Sequence, residues 1–463
     1  MAQGLEARQL QVNGIVQGVG FRPFVYQLAA RYGLKGEVAN TSAGVFIHIE
    51  GPAERLRLFE QELTAESPPL ARIVDVQSRP HPVQNCTDFR IAPSRGQAAM
   101  ATLISPDAAV CDDCLRELFD PSDRRYRYAF INCTNCGPRY TIIDDIPYDR
   151  PKTSMRGFTM CPRCQAEYDD PLNRRFHAQP NACPACGPQV GLWQGRGRPI
   201  RAADPIAAAA ELILQGRIVA VKGLGGYHLA VDAQNAEAVA RLRQRKLREE
   251  KPFAVMSPAL AAIRRYAVVE PEEERLLAAV ERPIVLLKKN HPFPLAEGVA
   301  PRNRYVGAML PYTPLHHLLL ACGFPALVMT SGNRSEEPIA IDNDDAFERL
   351  AGIADAFLAH DRDIYLRSDD SVVRRAAGGT QFLRRSRGWV PVPVFLRQTL
   401  PPILACGAEL KNTVCLTKAD QAFLSQHIGD LENLSTYEFF QKTIAHMQRI
   451  LAVRPEIIAC DQH

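Results

Sequence analysis

Eight cysteines between positions 111 and 186 constrain this chain more than any other feature. They form two consecutive copies of one pattern, in which Cys-x2-Cys, eighteen further residues and a second Cys-x2-Cys are followed by Gly-Pro. The copies start fifty residues apart, which indicates an internal duplication. Two cysteines at this interval can direct both thiolates at one point, and two such pairs complete a tetrahedral site for Zn(II). The predicted ligands are Cys111, Cys114, Cys133, Cys136, Cys161, Cys164, Cys183 and Cys186.

Four disulfides are the alternative use of these cysteines. Residues 1–6 read MAQGLE, without the basic and apolar regions of a secretory leader, so we expect a cytoplasmic protein with reduced thiols. No run of eighteen apolar residues is present to span a membrane. The sequence therefore predicts two structural Zn(II) ions. It leaves open whether the four Cys-x2-Cys pairs bind them in sequential or interleaved order.

The bulk composition excludes some functions. A chain of 463 residues is long enough for three or four domains, and a hydrophobic content of 46% is normal for globular cores. The formal net charge of +4 is too small to indicate a nucleic-acid partner. Basic and aromatic residues alternate at 124–128 and 173–177, but acidic residues close by spoil an electropositive face. We assign these residues, His177 included, to packing and solvation around small metal-stapled lobes.

Residues 1–95 show the element order of a ferredoxin-like fold. Alternating apolar residues predict a first strand over 8–16. A helix, two strands, a second helix and two strand-like segments follow, at 25–32, 36–40, 44–50, 56–63, 72–78 and 88–92. The order βαββαβ is the split ferredoxin-like arrangement.

The loop between the first strand and the first helix reads Gln17-Gly18-Val19-Gly20-Phe21-Arg22. A glycine-rich loop before a helix presents backbone N–H groups to an anion, and an arginine there can bind phosphate oxygens with two N–H groups. Together with Gly36-Glu37-Val38-Ala39-Asn40, this string resembles the acylphosphatase signature. The resemblance implies that residues 17–22 bind phosphate and that Arg22 and Asn40 are catalytic, with Asn40 positioning the attacking water. A plain ferredoxin-like binding module is the alternative.

Residues 199–395 have the pattern of an α/β domain. An alanine-rich helix leads into a strand at 217–222, and a basic helix over 241–251 runs into an apolar strand. This order places the last cations of the helix at a strand end, where ligands tend to bind in open α/β sheets. Lys246-Leu247-Arg248 and Ser331-Gly332-Asn333 resemble the K-x-R and S-x-N elements of YrdC-type domains, which form carbamoyl-adenylates.

The YrdC resemblance implies a basic, concave surface that binds ATP with Mg(II), where a carbamate carboxylate attacks the α-phosphate. Lys246 and Arg248 are the expected phosphate contacts, and Ser331 and Asn333 are the expected polar contacts to the nucleotide. The Thr-x-Thr-x-Tyr segment of that family is replaced here by KGLGGYH at 222–228, so we expect a difference in acceptor recognition. His228 either shapes the carbamate pocket or is a buried structural histidine, and the sequence leaves both open.

Residues 396–463 follow a segment, 391–402, that prolines mark as a linker. The stretch from Gly407 to Thr413 resembles the first phosphate loop of an actin/sugar-kinase-type fold, and a helix is expected at 435–451. These residues are too few for that bilobal domain, so we expect only its beginning, without a complete transfer site.

The four segments in order predict a multidomain α/β and α+β chain. They are an acylphosphatase-like domain (1–95), a double four-cysteine zinc module (96–198), a YrdC-like domain (199–395) and the start of a kinase-type ATPase domain (396–463). This order resembles the HypF carbamoyltransferases of nickel–iron hydrogenase maturation. The resemblance implies that carbamoyl phosphate is hydrolysed, that ATP adenylates the carbamate, and that the carbamoyl group passes to the C-terminal cysteine of a HypE-like partner as a cyanide precursor.

A zinc-containing RNA-binding protein, or one related to tRNA threonylcarbamoylation, is the alternative function. The near-neutral charge and the intact Arg22 and Asn40 motif argue against it.

Overall fold

The structure is a computed structural model that describes residues 5–16, 18–41, 44–92, 103–146, 148–195, 197–335 and 337–462. Gln17 of the predicted phosphate loop and the predicted domain boundary at 95/96 lie outside these ranges. Within them, no helix has both the length and the apolar character needed to cross a membrane. The described strands form three sheets.

The N-terminal sheet has five strands, in the order β4-β1-β3-β2-β5, and packs against two helices. Its elements are β1 (Leu5–Ile15), α1 (Phe21–Arg31), β2 (Lys35–Thr41), β3 (Gly44–Pro52), α2 (Ala53–Ala65), β4 (Arg72–His81) and β5 (Phe89–Ile91). Leu10 and Val12 alternate with polar residues on β1, and both are buried against Val25 and Leu28 of α1. The predicted ferredoxin-like order is confirmed.

The cysteine-rich segment contains little regular structure. Helices α3 (Asp112–Phe119) and α4 (Pro162–Asp169) each begin directly after the first cysteine of a copy. Short 3-10 turns lie at Tyr140–Ile142 and Arg150–Lys152. The buried cysteines of the first copy belong to a hydrophobic core that continues into the following α/β domain. The cysteine-rich module is therefore packed against that domain and shares its core.

A mixed sheet of eleven strands forms the centre of the molecule, in the order β16-β15-β11-β12-β10-β13-β9-β8-β14-β6-β7. Its strands are β6 (Val190–Gln194), β7 (Arg198–Ile200), β8 (Val219–Lys222), β9 (Tyr227–Asp232), β10 (Ala254–Met256), β11 (Ile284–Lys288), β12 (Tyr305–Met309), β13 (Leu327–Ser331), β14 (Ala356–His360), β15 (Val372–Ala376) and β16 (Gly379–Arg384). Its helices are α5 (Pro205–Leu214), α6 (Ala236–Arg245), α7 (Leu260–Arg264), α8 (Pro271–Ala278), α9 (Pro314–Leu320) and α10 (Asn343–Arg349), with a 3-10 turn at Glu297–Val299.

Strand β6 pairs with both β7 and β14, so the end of the cysteine-rich segment is part of the central sheet. One local prediction in this region was wrong. The basic helix ends at Arg245 rather than at Lys251. Leu247 has a left-handed backbone with φ of 52°, so the chain turns there and sets Lys246 and Arg248 in the bend after the helix.

The last sheet has the order β17-β19-β18-β20. Its elements are β17 (Val394–Leu400), β18 (Ile403–Cys406), β19 (Val414–Leu424), α11 (Leu434–Leu451) and β20 (Ile457–Cys460), with a 3-10 turn at Glu409–Lys411. Most of the predicted linker 391–402 is therefore strand, because β17 pairs with β19. The hydrophobic core beneath α11 also contains Tyr140 and Leu366, so this sheet packs on both preceding domains.

Candidate functional sites

The eight predicted metal ligands form two compact clusters. Within each cluster the ligand atoms all lie within 4.8 Å of one another. The Sγ–Sγ distances are 3.6 to 3.8 Å in the cluster of Cys111, Cys114, Cys133 and Cys136, and 3.7 to 3.8 Å in the cluster of Cys161, Cys164, Cys183 and Cys186. Four sulfurs bound at ~2.3 Å to one tetrahedral Zn(II) lie ~3.8 Å apart, so the spacing fits zinc. The order left open by the sequence is sequential, with one cluster per copy.

Arginine side chains of each copy of the motif donate hydrogen bonds to thiolates of the other copy. Arg174 of the second copy donates to Cys114 Sγ of the first at 3.0 Å, and Arg124 of the first donates to Cys164 Sγ of the second at 3.3 Å. These two pairs are equivalent under the fifty-residue repeat. Arginine N–H groups pointing at thiolates offset the net negative charge of a four-cysteine zinc cage.

The glycine-rich loop lies at the N-terminus of α1, as the sequence predicted. Gly18 and Gly20 have φ values of 71° and 75°, a left-handed backbone that favours glycine, and Gly20 is the residue that caps α1. A Cβ on Gly20 would lie 3.1 Å from Thr134 Oγ1 in the first copy of the cysteine motif. The loop is therefore shaped both by its backbone conformation and by close contact with the cysteine module.

Arg22 and Asn40 line one cavity of about 230 Å³. The Arg22 side chain makes no hydrogen bond to another described residue. Burial lowers its pKa, and the negative charge of Asp149 opposes this shift. Asn40 on β2 is 8% exposed, and its Oδ1 atom is buried without a hydrogen-bond partner in the described part of the chain. A free guanidinium and a free amide oxygen facing one cavity at a helix N-terminus form an arrangement that can bind an oxyanion and a water molecule.

The far wall of this cavity comes from the cysteine module, which sequence reasoning did not anticipate. Tyr148, Asp149, His177 and Gln179 line it together with the loop. His177 is not a member of either thiolate cluster. No local pattern marks these four residues as partners of Arg22, because they follow it by more than a hundred positions.

The predicted nucleotide residues form one cluster at the end of β13. Lys246 Nζ donates to the carbonyl oxygen of Ser331 at 2.8 Å and to Asn333 Oδ1 at 2.6 Å, and Ser331 Oγ donates to the same Oδ1 at 2.8 Å. Burial, together with the charges of Arg248 and Lys251, lowers the pKa of Lys246 to about 7. Lys246, Ser331 and Asn333, from two distant segments, therefore form one hydrogen-bonded cluster, in which the Lys246 amine is desolvated.

Arg248 completes the cluster. Its guanidinium donates to Thr330 Oγ1 at 2.9 Å, to the carbonyl oxygens of Pro252 at 2.6 Å and Lys251 at 2.9 Å, and it stacks over the Phe253 ring at 4.9 Å. These bonds use three of its five N–H groups and leave two to bind an anion. Burial lowers its pKa to about 10, which keeps it charged at neutral pH.

His228 is a buried, paired histidine. Its Nε2 atom lies 3.0 Å from Asp370 Oδ2, and Asp370 Oδ1 accepts from Arg387 Nε at 2.7 Å. Although burial opposes it, Arg387 and His228 hold the pKa of Asp370 well below its usual range. Of the two interpretations of His228, this geometry favours a buried structural histidine over a residue that shapes the carbamate pocket.

Family comparisons cover most of the chain. The Acylphosphatase model matches residues 8–91, the HypF finger model matches 110–143 and 160–193, the Telomere recombination model (Sua5_yciO_yrdC) matches 211–386, and the HypF Kae1-like domain model matches 398–463. These are the predicted domain types in the predicted order, so the predicted fold class is confirmed.

Curated relatives extend over nearly the whole chain. Carbamoyltransferase HypF2 of Cupriavidus necator is 52% identical over 98% of this chain and 59% of its own length. Carbamoyltransferase HypF of Synechocystis sp. is 49% identical over 99% of this chain and 60% of its own length. The chain thus spans about 60% of the length of these relatives. An acylphosphatase of Thermotoga petrophila is 42% identical over 19% of this chain and 97% of its own length.

Solved structures agree with the curated relatives. A full-length HypF crystallised in a phosphate- and nucleotide-bound form matches with a TM-score of 0.93 at 48% identity, over 100% of this chain and 61% of that one. HypF of T. kodakarensis matches with a TM-score of 0.89 at 47% identity, over 99% of this chain and 59% of that one.

Proposed function

This chain belongs to the family of HypF carbamoyltransferases, as its domain order predicted, and we propose that it carries the first two chemical steps of a carbamoyl transfer. In the first step water attacks the phosphorus of carbamoyl phosphate, the bond from phosphorus to the acyl oxygen breaks, and phosphate and carbamate are released. In the second step the carbamate carboxylate attacks the α-phosphorus of ATP, which yields carbamoyl-AMP and pyrophosphate. The observation that carries this proposal is that the Arg22 guanidinium and the Asn40 amide oxygen line one cavity, and neither is hydrogen-bonded to any residue in the described ranges.

At the first site the residues divide the work between phosphate and water. The N–H groups of the loop 18–22 and the Arg22 guanidinium hold the phosphoryl oxygens, where charge develops as water attacks. Asn40 Oδ1 accepts a hydrogen bond from the attacking water and so orients the lone pair of the water toward phosphorus. Gln17 belongs to the same loop by resemblance, and its position is part of the proposal.

At the second site the cluster around Lys246 receives the triphosphate. Lys246 and the two free N–H groups of Arg248 offset the phosphate charge, and Ser331 and Asn333 give polar contacts to the nucleotide. Mg²⁺, carried in by ATP, would further neutralise the phosphate oxygens. The side chains of Lys246 and Arg248 are held by hydrogen bonds before the nucleotide arrives, so little structural reorganisation is needed on binding.

The two four-cysteine clusters are proposed to hold structural zinc. All four positions of each tetrahedron are taken by protein thiolates, which leaves no open position for catalysis. Elemental analysis of pure, reduced protein should therefore give two zinc ions per chain. A value below about 1.5 would contradict the assignment.

The acceptor of the carbamoyl group is proposed to be the C-terminal cysteine of a HypE-like protein, in nickel–iron hydrogenase maturation. Thiolate cages and a thiol acceptor both require a reducing compartment, so the proposed location is the cytoplasm. Carbamate is unstable in water, so a hydrolase and an adenylating site on one chain favour transfer over escape.

Exchange of pyrophosphate into ATP, measured with and without carbamoyl phosphate, tests the proposed function. We expect exchange that depends on carbamoyl phosphate and on Arg22. Salt-dependent RNA binding without such exchange would instead support the RNA-related alternative, which the four matched family models do not favour.

A further inference from the structure

The second cysteine copy contributes part of the wall of the cavity that holds Arg22 and Asn40. Phe176, His177 and Gln179 line this cavity together with the glycine-rich loop. If the loop and Arg22 hold the phosphate end of a substrate, the acyl end points away from them. The acyl group then lies toward the rest of the wall, which includes these residues of the second copy.

The internal duplication provides its own comparison for this wall. Fifty residues earlier, the first copy has Arg127 at the position of His177. The backbones agree closely: φ is 53° at His177 and 55° at Arg127, and each N–H donates to the carbonyl oxygen nine residues before it, at 3.0 and 2.8 Å. The left-handed backbone is thus a property of the repeat and is not evidence of function.

The side chains of the two copies differ where the backbones agree. Tyr168, His177 and Gln179 of the second copy correspond to a leucine, Arg127 and an alanine in the first. Arg127 turns to Asp204, at 2.7 Å, and does not line the cavity. The set of Tyr168, His177 and Gln179 is therefore present only in the second copy.

The imidazole of His177 is held in place but its nitrogens are free. Its ring stacks on Tyr168 with centroids 5.0 Å apart, and the Tyr168 hydroxyl donates to Gln179 Oε1 at 2.9 Å. Gln179 Nε2 in turn donates to the His177 carbonyl oxygen at 3.2 Å. Neither ring nitrogen has a hydrogen-bond partner among the described residues. Desolvation and then the charge of Arg22 lower the pKa of His177, and the carboxylates of Asp149 and Asp169 oppose this shift. In a neutral imidazole one ring nitrogen can accept a hydrogen bond.

We propose that His177 is a specificity-determining residue, whose ring nitrogen accepts a hydrogen bond from the amino group of carbamoyl phosphate. This inference rests on the proposed function of the first site. The amino group distinguishes a carbamoyl from an acetyl group, because an acetyl methyl has the same position and no hydrogen to donate. A site that hydrogen-bonds a substrate N–H discriminates against the analogue that lacks it.

The test compares carbamoyl phosphate with acetyl phosphate as substrates of the full chain. In His177→Phe, which keeps an aromatic ring stacked on Tyr168, kcat/KM for carbamoyl phosphate should fall roughly tenfold while that for acetyl phosphate stays within about twofold. His177→Gln, which retains an acceptor, should recover part of the difference. Arg127→Ala, at the equivalent position of the first copy, is the matched control and should leave the ratio unchanged. Unchanged zinc content shows that each variant is folded.

Three outcomes would overturn the inference. Equal losses with both substrates would show that His177 only supports the cavity, and an unchanged ratio in both His177 variants would show that it does not meet the acyl group. A loss of discrimination confined to Asp149→Asn would assign the contact to the other acceptor on this wall. If the wild-type chain hydrolysed neither substrate, the proposed function of the first site would fail, a result distinguishable from the other three.

Discussion

At the scale of single residues, both candidate sites keep cations out of water before any ligand is bound. Arg22 is desolvated beside its cavity without a hydrogen-bond partner in the described ranges, and Lys246 is 5% exposed. Desolvated charge is expensive unless it is compensated, so such residues are typical of sites that bind an oppositely charged ligand. The two side chains differ in their partners: Lys246 is hydrogen-bonded within the protein, whereas no described residue occupies the N–H groups of the Arg22 guanidinium, which are available for an anion.

Replacing Arg22 should abolish the first reaction. We expect Arg22→Ala to lower kcat/KM for carbamoyl phosphate by about a thousandfold, because the charge-assisted hydrogen bonds to the phosphoryl oxygens are lost at the transition state. Arg22→Lys should recover little, since a point charge cannot replace the planar two-pronged contact. Steady-state phosphate release is the measurement. Near wild-type hydrolysis by the alanine variant would show that the acylphosphatase assignment is wrong.

Nucleotide binding should be accompanied by proton uptake at Lys246. Its pKa of about 7 leaves the amine largely neutral at pH 8, and a nearby triphosphate favours the charged form and raises that pKa. Calorimetric titration with ATP at pH 8, in buffers of different ionisation enthalpy, should show uptake approaching one proton, and at pH 6 the uptake should vanish.

The matched control for this experiment is Lys222, a second buried lysine with a pKa lowered to about 8. It hydrogen-bonds Asn343 at 2.7 Å and lies outside the Lys246 cluster. Lys222→Met should keep the proton uptake and Lys246→Met should lose it. Uptake that persists in Lys246→Met would assign the proton to another group.

At the scale of elements, the duplicated cysteine motif acts as an interlocked pair. Besides the arginine contacts to thiolates, Arg125 of the first copy pairs with Glu167 of the second, and Arg175 of the second pairs with Glu117 of the first. Each pair is partly or fully buried, so removing one partner leaves a charge uncompensated. Each copy therefore stabilises the metal cluster of the other.

Removing the arginine of one copy should weaken the metal cluster of the other. Arg174→Leu is expected to speed zinc release from the first cluster by about 10–100-fold, because it removes the N–H donor to Cys114 and leaves the thiolate charge less compensated. Competition with a chromogenic chelator should resolve one faster and one nearly unchanged phase.

Arg116→Leu is the control for this prediction, since that arginine lies on α3 beside the same cluster but pairs with Asp113 in solvent. It should leave both phases unchanged. If Arg174→Leu also released both zinc ions at the wild-type rate, the two copies would be independent.

At the scale of the whole molecule, the cysteine module is the common support of the other domains. Its residues line the Arg22 cavity, share a core with the central sheet, and reach the last sheet through the hydrogen bond from Tyr140 to Gln426, at 2.9 Å. The two candidate sites are nevertheless built from different segments. The geometry therefore predicts that the two reactions take place at separate sites, both of which belong to domains packed on the cysteine module.

The two reactions should separate by mutation. Asn333→Ala removes an acceptor of Lys246 and the proposed polar contact to the nucleotide, so AMP formation dependent on carbamoyl phosphate should fall at least tenfold. Phosphate release from carbamoyl phosphate should stay within about twofold of wild type. Arg22→Ala should instead lose both, because carbamate is no longer supplied. Parallel loss of both activities in a folded Asn333→Ala protein would argue against two sites.

Zinc removal should impair the first reaction even though no cysteine lines the cavity. Metal supplies on the order of 10 kcal/mol to the folding of small thiolate modules, and without it the wall formed by His177 and Gln179 should be lost. Chelated protein should therefore hydrolyse carbamoyl phosphate more slowly, with recovery when zinc is returned. Full activity in protein shown to be zinc-free would contradict this dependence.

The features that the sequence alone determined are those encoded by short spacings. The Cys-x2-Cys pairs predicted two thiolate clusters, and a glycine loop before a helix with Arg22 predicted an anion site at α1. The cysteine and glycine-loop predictions rest on local geometry, in which a few consecutive residues fix where their side chains point. The resemblance of the K-x-R and S-x-N elements to YrdC-type domains implied that Lys246 and Asn333 both contact the nucleotide, and Lys246 Nζ lies 2.6 Å from Asn333 Oδ1.

The features that only the tertiary structure decided depend on contacts between distant segments. Sequential pairing of the cysteine clusters, the pairing of β6 with β7 and the strand β17 all depend on which partners are near in space. The placement of His177 in the cavity of Arg22 and the pairing of His228 with Asp370 are of the same kind, and these two join residues more than a hundred positions apart. Periodicity and spacing cannot express such contacts, because the free energy that selects them comes from packing and hydrogen bonds between separate segments.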